Sequence, residues 1–269
     1  GISHAPKGAR DGMFDDWCEI AENKHGRRKM LFRLTEKADG RDAIENNLVE
    51  CVRSHYDELT QIAEDVKRLG YAAASVILGE QLPRTRRARS GEMGEILATE
   101  FIKAQTEFRI PVRRLRYKDG REMALRGDDF LGIRQDEEGH LHLLKGESKS
   151  RRTITPSVIA EARDRLSCDD GRPTAISILF TAARLLEADG DDAELGRKVR
   201  DEVALRVVPH GRITHALFTL SGNAPENGLR EDLIAADATH IHISAGLQIE
   251  DHQAFVARIY DEAISLGDH

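Results

Sequence analysis

Cysteine, aromatic side chains and long apolar runs are all scarce in this chain, and each shortage excludes something. The three cysteines among 269 residues, Cys18, Cys51 and Cys168, stand at unrelated spacings. They make neither a zinc-ligand pattern nor a disulfide framework. No apolar run approaches the ~20 residues that cross a bilayer, and no signal-peptide pattern opens the sequence, so the expected location is cytoplasmic. Aromatics supply only 5% of residues, yet hydrophobic residues reach 40%, ordinary for a folded chain. P-loop, Gly-x-Ser-x-Gly and dinucleotide glycine patterns are missing too, which leaves the glycines to serve turns.

Charge is plentiful and unevenly placed. Charged residues make up 32% of the chain and the net charge is −7. From Arg84 to Arg152, however, lysine and arginine number 17 against 12 acidic residues, while the remainder carries 23 against 35. A basic region inside an acidic protein is the local footprint that phosphate binding requires. Pro83-Arg84-Thr85-Arg86-Arg87-Ala88-Arg89 reads as an arginine-rich turn, either a solvated linker or a phosphate contact through Arg86, Arg87 and Arg89.

Within that region, residues 125–152 (LRGDDFLGIRQDEEGHLHLLKGESKSRR) read as a β-hairpin with chemistry at matching ends. Phe130 to Ile133 is a short apolar strand, Gln135 to His140 a polar turn, and Leu141 to Leu144 begins the return strand. Alternation puts Glu147 and Lys149 on one face. Pairing about the turn brings Asp128 and Asp129 near the level of Glu147. Carboxylates ~4 Å apart repel by roughly 4 kcal/mol at an effective dielectric near 20, so a cation is expected among them. Oxygen-only ligands suit Mg²⁺ or Mn²⁺. A metal held there with an adjacent lysine suits phosphodiester hydrolysis. Arg151 and Arg152 follow directly, placed to meet a phosphate or to remain solvated.

These residues resemble the PD-(D/E)xK nuclease signature: Gly127-Asp128-Asp129-Phe130-Leu131, then Glu147-Ser148-Lys149. The usual proline is absent and Asp128 stands in its place, so the resemblance matches Asp129 to the metal-binding aspartate. Asp128 is then an alternate or supporting ligand. Upstream, Ser90-Gly91-Glu92-Met93-Gly94-Glu95 opens a helix with Ser90 as a plausible N-cap. In the family a helix before the hairpin contributes a further acidic ligand, which implies Glu95, with Glu92 in reserve. Lys149 would position the attacking water, and Ser148, facing away, takes no catalytic part. Together RSGEMGEILATEF, RGDDFLGI and LLKGESKSR are similar to the HamA family, nuclease subunits of the Hachiman anti-phage defence system. That resemblance is close over about 85–165. It implies a Mg²⁺- or Mn²⁺-dependent deoxyribonuclease acting on DNA, restrained by a superfamily-2-type helicase partner (HamB). Two other readings stay open: a catalytically inactive nuclease fold serving as a nucleic-acid-binding or assembly subunit, and a restriction-type endonuclease.

The remaining chain indicates an α/β fold, a PD-(D/E)xK nuclease-like core sheet flanked by helices over 84–269, with a mainly helical cap or partner region over 1–83. Phe14 to Glu22 is a short helical possibility, and KMLFRL (Lys29 to Leu34) is a strand or buried turn. Ala43 to Leu69 repeats its apolar residues at helical spacing, as one broken helix or two, and Tyr71 to Leu78 is helical or extended. Phe108 to Tyr117 is expected as the first strand of the sheet, with at least one of Arg113, Arg114 and Arg116 on nucleic acid. Helices are expected over Pro156 to Leu166, Pro173 to Ala188, Asp191 to Leu205 and Glu250 to Leu266. Strands are expected at Ile213 to Leu220 and Ala238 to Ser244. The pairs His140/His142 and His240/His242 lack a third ligand at metal spacing and read as surface or interface residues.

Overall fold

The computed structural model describes residues 12–267; the polar opening, 1–11, lies outside them. Along the chain run α1 (Met13–Trp17), β1 (Cys18–Lys24), β2 (Lys29–Glu36), α2 (Gly40–Tyr56), α3 (Leu59–Leu69), α4 (Tyr71–Gln81) and α5 (Arg86–Gln105). Then come β3 (Phe130–Gln135), β4 (Leu141–Arg151), α6 (Pro156–Ser167), α7 (Ala175–Leu186), α8 (Asp191–Leu205), β5 (Ile213–Ser221), α9 (Glu226–Ala235), β6 (Ile241–Gln248) and α10 (His252–Ile264).

The strands join one mixed sheet in the order β1-β2-β6-β5-β4-β3. The middle four run parallel and an antiparallel hairpin closes each end. Parallel strands covered on both faces are apolar throughout rather than alternating. Accordingly every residue of β5 is buried. Helices occupy both faces, giving the α/β architecture that alternating strands and helices indicate.

On one face Phe32, Leu144, Phe218 and Leu247 pack against α1, α2, α5 and α10. Phe101 of α5 sits at the centre, its ring 5.5, 5.2 and 5.7 Å from those of Phe14, Phe32 and Phe218. On the other face Leu31 and Leu217 lie under α6 and α9, and Leu131, Leu143 and Ile213 under α7 and α8. Gly94 lets α5 approach β4, since a Cβ there would stand 3.0 Å from that of Ser150.

The structure departs from the sequence expectations at several places, first where the Phe14 to Glu22 helical possibility ends at Trp17 and Cys18–Lys24 becomes strand β1. Residues 29–36 hydrogen-bond to β6, so the first 83 residues supply two strands of the common sheet as well as helices α1 to α4. Phe108 to Tyr117 forms no strand: Arg109 makes a single bridge to Ile133 and Arg114–Tyr117 is a 3-10 turn. Pro111 has no N–H to give a ladder, and Arg113 and Arg116 turn instead to the Ser54 carbonyl at the end of α2. Finally, the arginine run is helical. Thr85, not Ser90, caps α5 by accepting from the Ala88 N–H.

Candidate active site

The hairpin that carries the candidate residues ends unevenly. Pairing with β3 stops at Phe130 opposite Gly146, whereas pairing with β5 continues to Arg151. Beyond Gly146 the β3-facing edge of β4 is therefore open. Gly146 is itself required for the last pair, because a Cβ would fall 2.2 Å from the Phe130 ring.

Asp129 fills the first position of this open edge. Its Oδ2 accepts from the Ser148 N–H at 2.8 Å and from the Ser148 hydroxyl at 3.1 Å. A strand N–H that has lost its ladder partner is thus satisfied by a carboxylate, and both of these bonds fall on Oδ2. Ser148, which the sequence pattern leaves without a part, is the residue that fixes Asp129. Glu147 leaves the strand on the α6 side, 5% exposed, with Lys149 Nζ 3.0 Å from its Oε1. From α6, Glu161 takes the other side of the Lys149 ammonium at 3.0 Å, and Arg165 approaches Glu147 at 4.0 Å. Sequence spacing did not reveal either α6 residue, because their approach depends on how that helix crosses the sheet.

Three carboxyls feel one another across this edge. Burial pushes Glu95 well above the ordinary carboxylate range, and the charge of Asp129 pushes it further, with Glu147 adding a smaller push. Burial and then Asp129 bring Glu147 up to about 7, against the opposing pull of Lys149. Asp129 is raised by burial although the Ser148 donors and Arg114 hold it down. Arg114 is thus the arginine of its trio that faces the site, its guanidinium also donating to the Arg126 carbonyl at 2.9 Å. Burial works against the Lys149 charge, but Glu161 and Glu147 outweigh it and raise its pKa, so Lys149 is a cation at neutral pH.

Two expected ligands lie elsewhere. Asp128 turns away from Asp129: its Oδ2 accepts from the N–H and hydroxyl of Thr174 at 2.8 and 3.1 Å, and Lys145 stands 3.8 Å from its Oδ1. It anchors the start of α7 and does not join the carboxyl group at the open edge. Glu92, the reserve ligand, is buried in a separate network with the Tyr56 hydroxyl at 2.5 Å and Lys118. Glu92 and Glu95 are one turn apart on the same side of α5, and the Glu92 charge adds to the rise of the Glu95 carboxyl.

The arginines also divide. Arg86, Arg87, Arg151 and Arg152 are exposed, with Arg151 3.9 Å from Glu161 beside the site. Arg89 is engaged inside the protein, donating to the Pro83 carbonyl, pairing with Asp261 at 2.8 Å and lying over the Tyr260 ring. Of the histidines, His140 and His142 flank Asp136 at the hairpin turn. His240 and His242 are buried rather than superficial.

The donor set suits a hard divalent cation: Glu95, Asp129 and Glu147 offer carboxylate oxygens alone; burial raises the pKa of each, and the Asp129 charge adds to the rise at Glu95 and Glu147. Their oxygens are not all within 4.8 Å of one another, unlike those of two other groups among the described residues.

The family model for HamA matches residues 11–263. The chain belongs to the HamA family. Among relatives, the Hachiman protein HamA of Bacillus cereus is 28% identical over 183 residues. The match takes in 68% of this chain and 64% of that relative, so it spans a little under two thirds of the relative's length. Glu95, Asp129, Glu147 and Lys149 all lie inside the matched family region.

Proposed function

We propose that this HamA-family chain is a metal-dependent deoxyribonuclease of the PD-(D/E)xK type, the DNA-cleaving effector of Hachiman anti-phage defence. The observation that carries the reading is that Glu95, Asp129 and Glu147 lie near enough at the open edge of β4 for the Asp129 charge to raise the other two carboxyls, with Lys149 fixed beside Glu147. Asp129, Glu147 and Glu95 would hold Mg²⁺ or Mn²⁺, and Asp128 has no part in binding it. When bound, such an ion supplies a Lewis acid for the phosphate and lowers the pKa of water.

The chain's own residues do the rest. Lys149, kept protonated between Glu147 and Glu161, offers N–H donors toward charge developing on a phosphoryl oxygen. Ser148 holds Asp129 so that one oxygen keeps a constant direction. Exposed Arg151, with Arg86 and Arg87 at the start of α5, supplies cationic surface for the DNA backbone. Water attacks phosphorus and gives up a proton, the P–O ester bond breaks, and the leaving oxygen takes up a proton from solvent.

In this reading the chain works with a helicase partner (HamB), as the resemblance to the Hachiman system implies. A nuclease without sequence selection is toxic to its own cell, so restraint by that partner fits the chemistry. The test incubates the purified chain with supercoiled and linear DNA in Mg²⁺, Mn²⁺ or EDTA, alongside Lys149→Ala, and measures metal binding to the same samples. Metal-dependent cleavage lost in Lys149→Ala is expected. DNA binding without cleavage, together with no divalent binding that depends on Asp129 and Glu147, would instead identify a non-catalytic assembly subunit.

A further inference from the structure

The 3-10 turn Arg114–Tyr117, which takes the place of the expected strand, forms one wall of a cavity of about 520 Å³. Side chains three apart eclipse in such a turn, so Arg114 and Tyr117 project on one side while Leu115 is buried. The facing wall is α7, where Ile176 and Phe180 stand one turn apart on a single face. The Phe180 ring meets that of Tyr117 edge-on at 5.4 Å, and the Arg184 guanidinium lies 5.1 Å over the Tyr117 ring.

Three features select the occupant. The lining is apolar yet uncovered, with Met123 57% and Ile176 49% exposed, an arrangement that marks a binding surface. Two guanidiniums, Arg114 and Arg126, share the cavity with the aromatic pair; rings for stacking beside cations suit a flat base joined to a phosphate. Of the acidic residues there, Asp128 is committed to Thr174 and Asp119 is exposed. The third feature is position. Asp128 and Leu131, which flank Asp129 and Phe130 in sequence, both line the cavity. Arg114 serves both places, since it is near enough to Glu95 and Asp129 for its charge to oppose the rise that burial causes in each. The cavity thus adjoins the open edge of β4. Its volume is that of a site for a small ligand, and a folded partner could not enter it.

We propose that this cavity receives an unpaired nucleobase of the strand being cleaved, which makes single-stranded DNA the preferred substrate. In a duplex the bases are paired and stacked, and one could fill the cavity only by being turned out at the expense of both. A single strand presents its bases at little such cost. Every base has a face for stacking, so the preference carries no sequence requirement. Tyr117 and Phe180 supply the apolar ring surface, and Arg114 and Arg126 the charge for the adjoining phosphate. The inference rests on the nuclease reading and adds to it the strandedness of the substrate.

The test has a binding arm and a cleavage arm, both with the full chain. In EDTA, which keeps the DNA intact, fluorescence anisotropy compares an end-labelled single strand with one of equal length whose sugars carry stable abasic analogues. The two have the same charge, and the base-bearing strand should bind at least about fivefold more tightly. Phe180→Ala should abolish that difference and Phe180→Tyr should keep it. Neither should alter the slope of log Kobs against log salt, because the phosphate contacts are untouched. The abasic comparison needs only the unaltered chain, so it stands even where a variant misfolds. In Mg²⁺ or Mn²⁺, a single strand should be cleaved at least about fivefold faster than its duplex. Equal binding of the two strands by the unaltered chain, a difference that survives in a folded Phe180→Ala chain, or duplex cleavage as fast as that of the single strand overturns the proposal; metal-dependent cleavage in those cases leaves the nuclease reading intact. Base-dependent binding lost in Phe180→Ala, with neither cleavage nor divalent binding at Asp129 and Glu147, upholds the base cavity and overturns the nuclease reading instead.

Discussion

Replacing Glu147 by glutamine should stabilise the metal-free protein at alkaline pH. Burial and the Asp129 charge lift the Glu147 carboxyl from an ordinary 4.5 to about 7. Between those values the folded chain keeps a proton that the unfolded chain has released, so this group's contribution to stability falls as pH rises from 4.5 to 7. Below 4.5 the contribution is intact; above 7 it is lost. The gap corresponds to about 3 kcal/mol, an upper figure because Asp129 titrates with it. Glutamine has the shape of the neutral acid and carries no charge at any pH. Lys149 retains Glu161 at 3.0 Å, so it is not stranded by the change. Glu147→Gln should therefore match the wild type near pH 4.5 and exceed it by up to about 3 kcal/mol at pH 8.5, or roughly 6–10 °C in Tm for a chain of this size. Urea unfolding in EDTA across that range measures the difference curve. Adding Mg²⁺ should then raise the wild type and leave the variant nearly unmoved. A variant that is less stable than wild type at pH 8.5, or that differs equally at both ends, would refute the electrostatic account of this site.

Asp128→Asn should lower stability by about 1–3 kcal/mol through its bonds to Thr174, while divalent affinity stays within about twofold; a tenfold loss in a Mg²⁺ titration would return Asp128 to the metal. In salt-dependent DNA-binding titrations, Arg86→Ala/Arg87→Ala should reduce the slope of log Kobs against log salt by about 1–2. Arg89→Ala should leave that slope unchanged and lower Tm instead, since its guanidinium is held by Pro83, Asp261 and Tyr260. Gly146→Ala should cost about 1–3 kcal/mol by driving a methyl group into the Phe130 ring, and Phe130→Leu in the same chain should recover part of that loss in urea unfolding.

Where a segment's own pattern decides its structure, the sequence is a sufficient guide. The β3–β4 hairpin, α7, α8, β5 and α10 follow from apolar periodicity and turn residues. The failures share a cause. Phe108 to Tyr117 has strand-like composition, but Pro111 and the carbonyl end of α2 claim its backbone and arginines. The four-arginine run resembles a linker until Thr85 caps it and Asp261 and Tyr260, distant in sequence, take Arg89 into the fold. His242 reads as superficial because His215 and Arg163, which enclose it, come from other elements.

The neighbouring aspartates show how far local pattern can carry a site assignment. In an extended segment Asp128 and Asp129 must point in opposite directions, so at most one of them joins Glu147; alternation by itself does not say which. The choice is made by partners remote in sequence. Gly127, at φ +94, passes so close to α7 that a Cβ would meet the Ser177 hydroxyl at 2.4 Å. Ser177 then accepts the Asp128 N–H at 2.8 Å and Thr174 binds its carboxylate, committing Asp128 to the α7 side. Asp129 is left facing the first unpaired N–H of β4, at Ser148. The Glu-Ser-Lys triplet is thus one device: its outer residues carry the charge, and its middle residue, on the opposite face, orients the aspartate that completes the site.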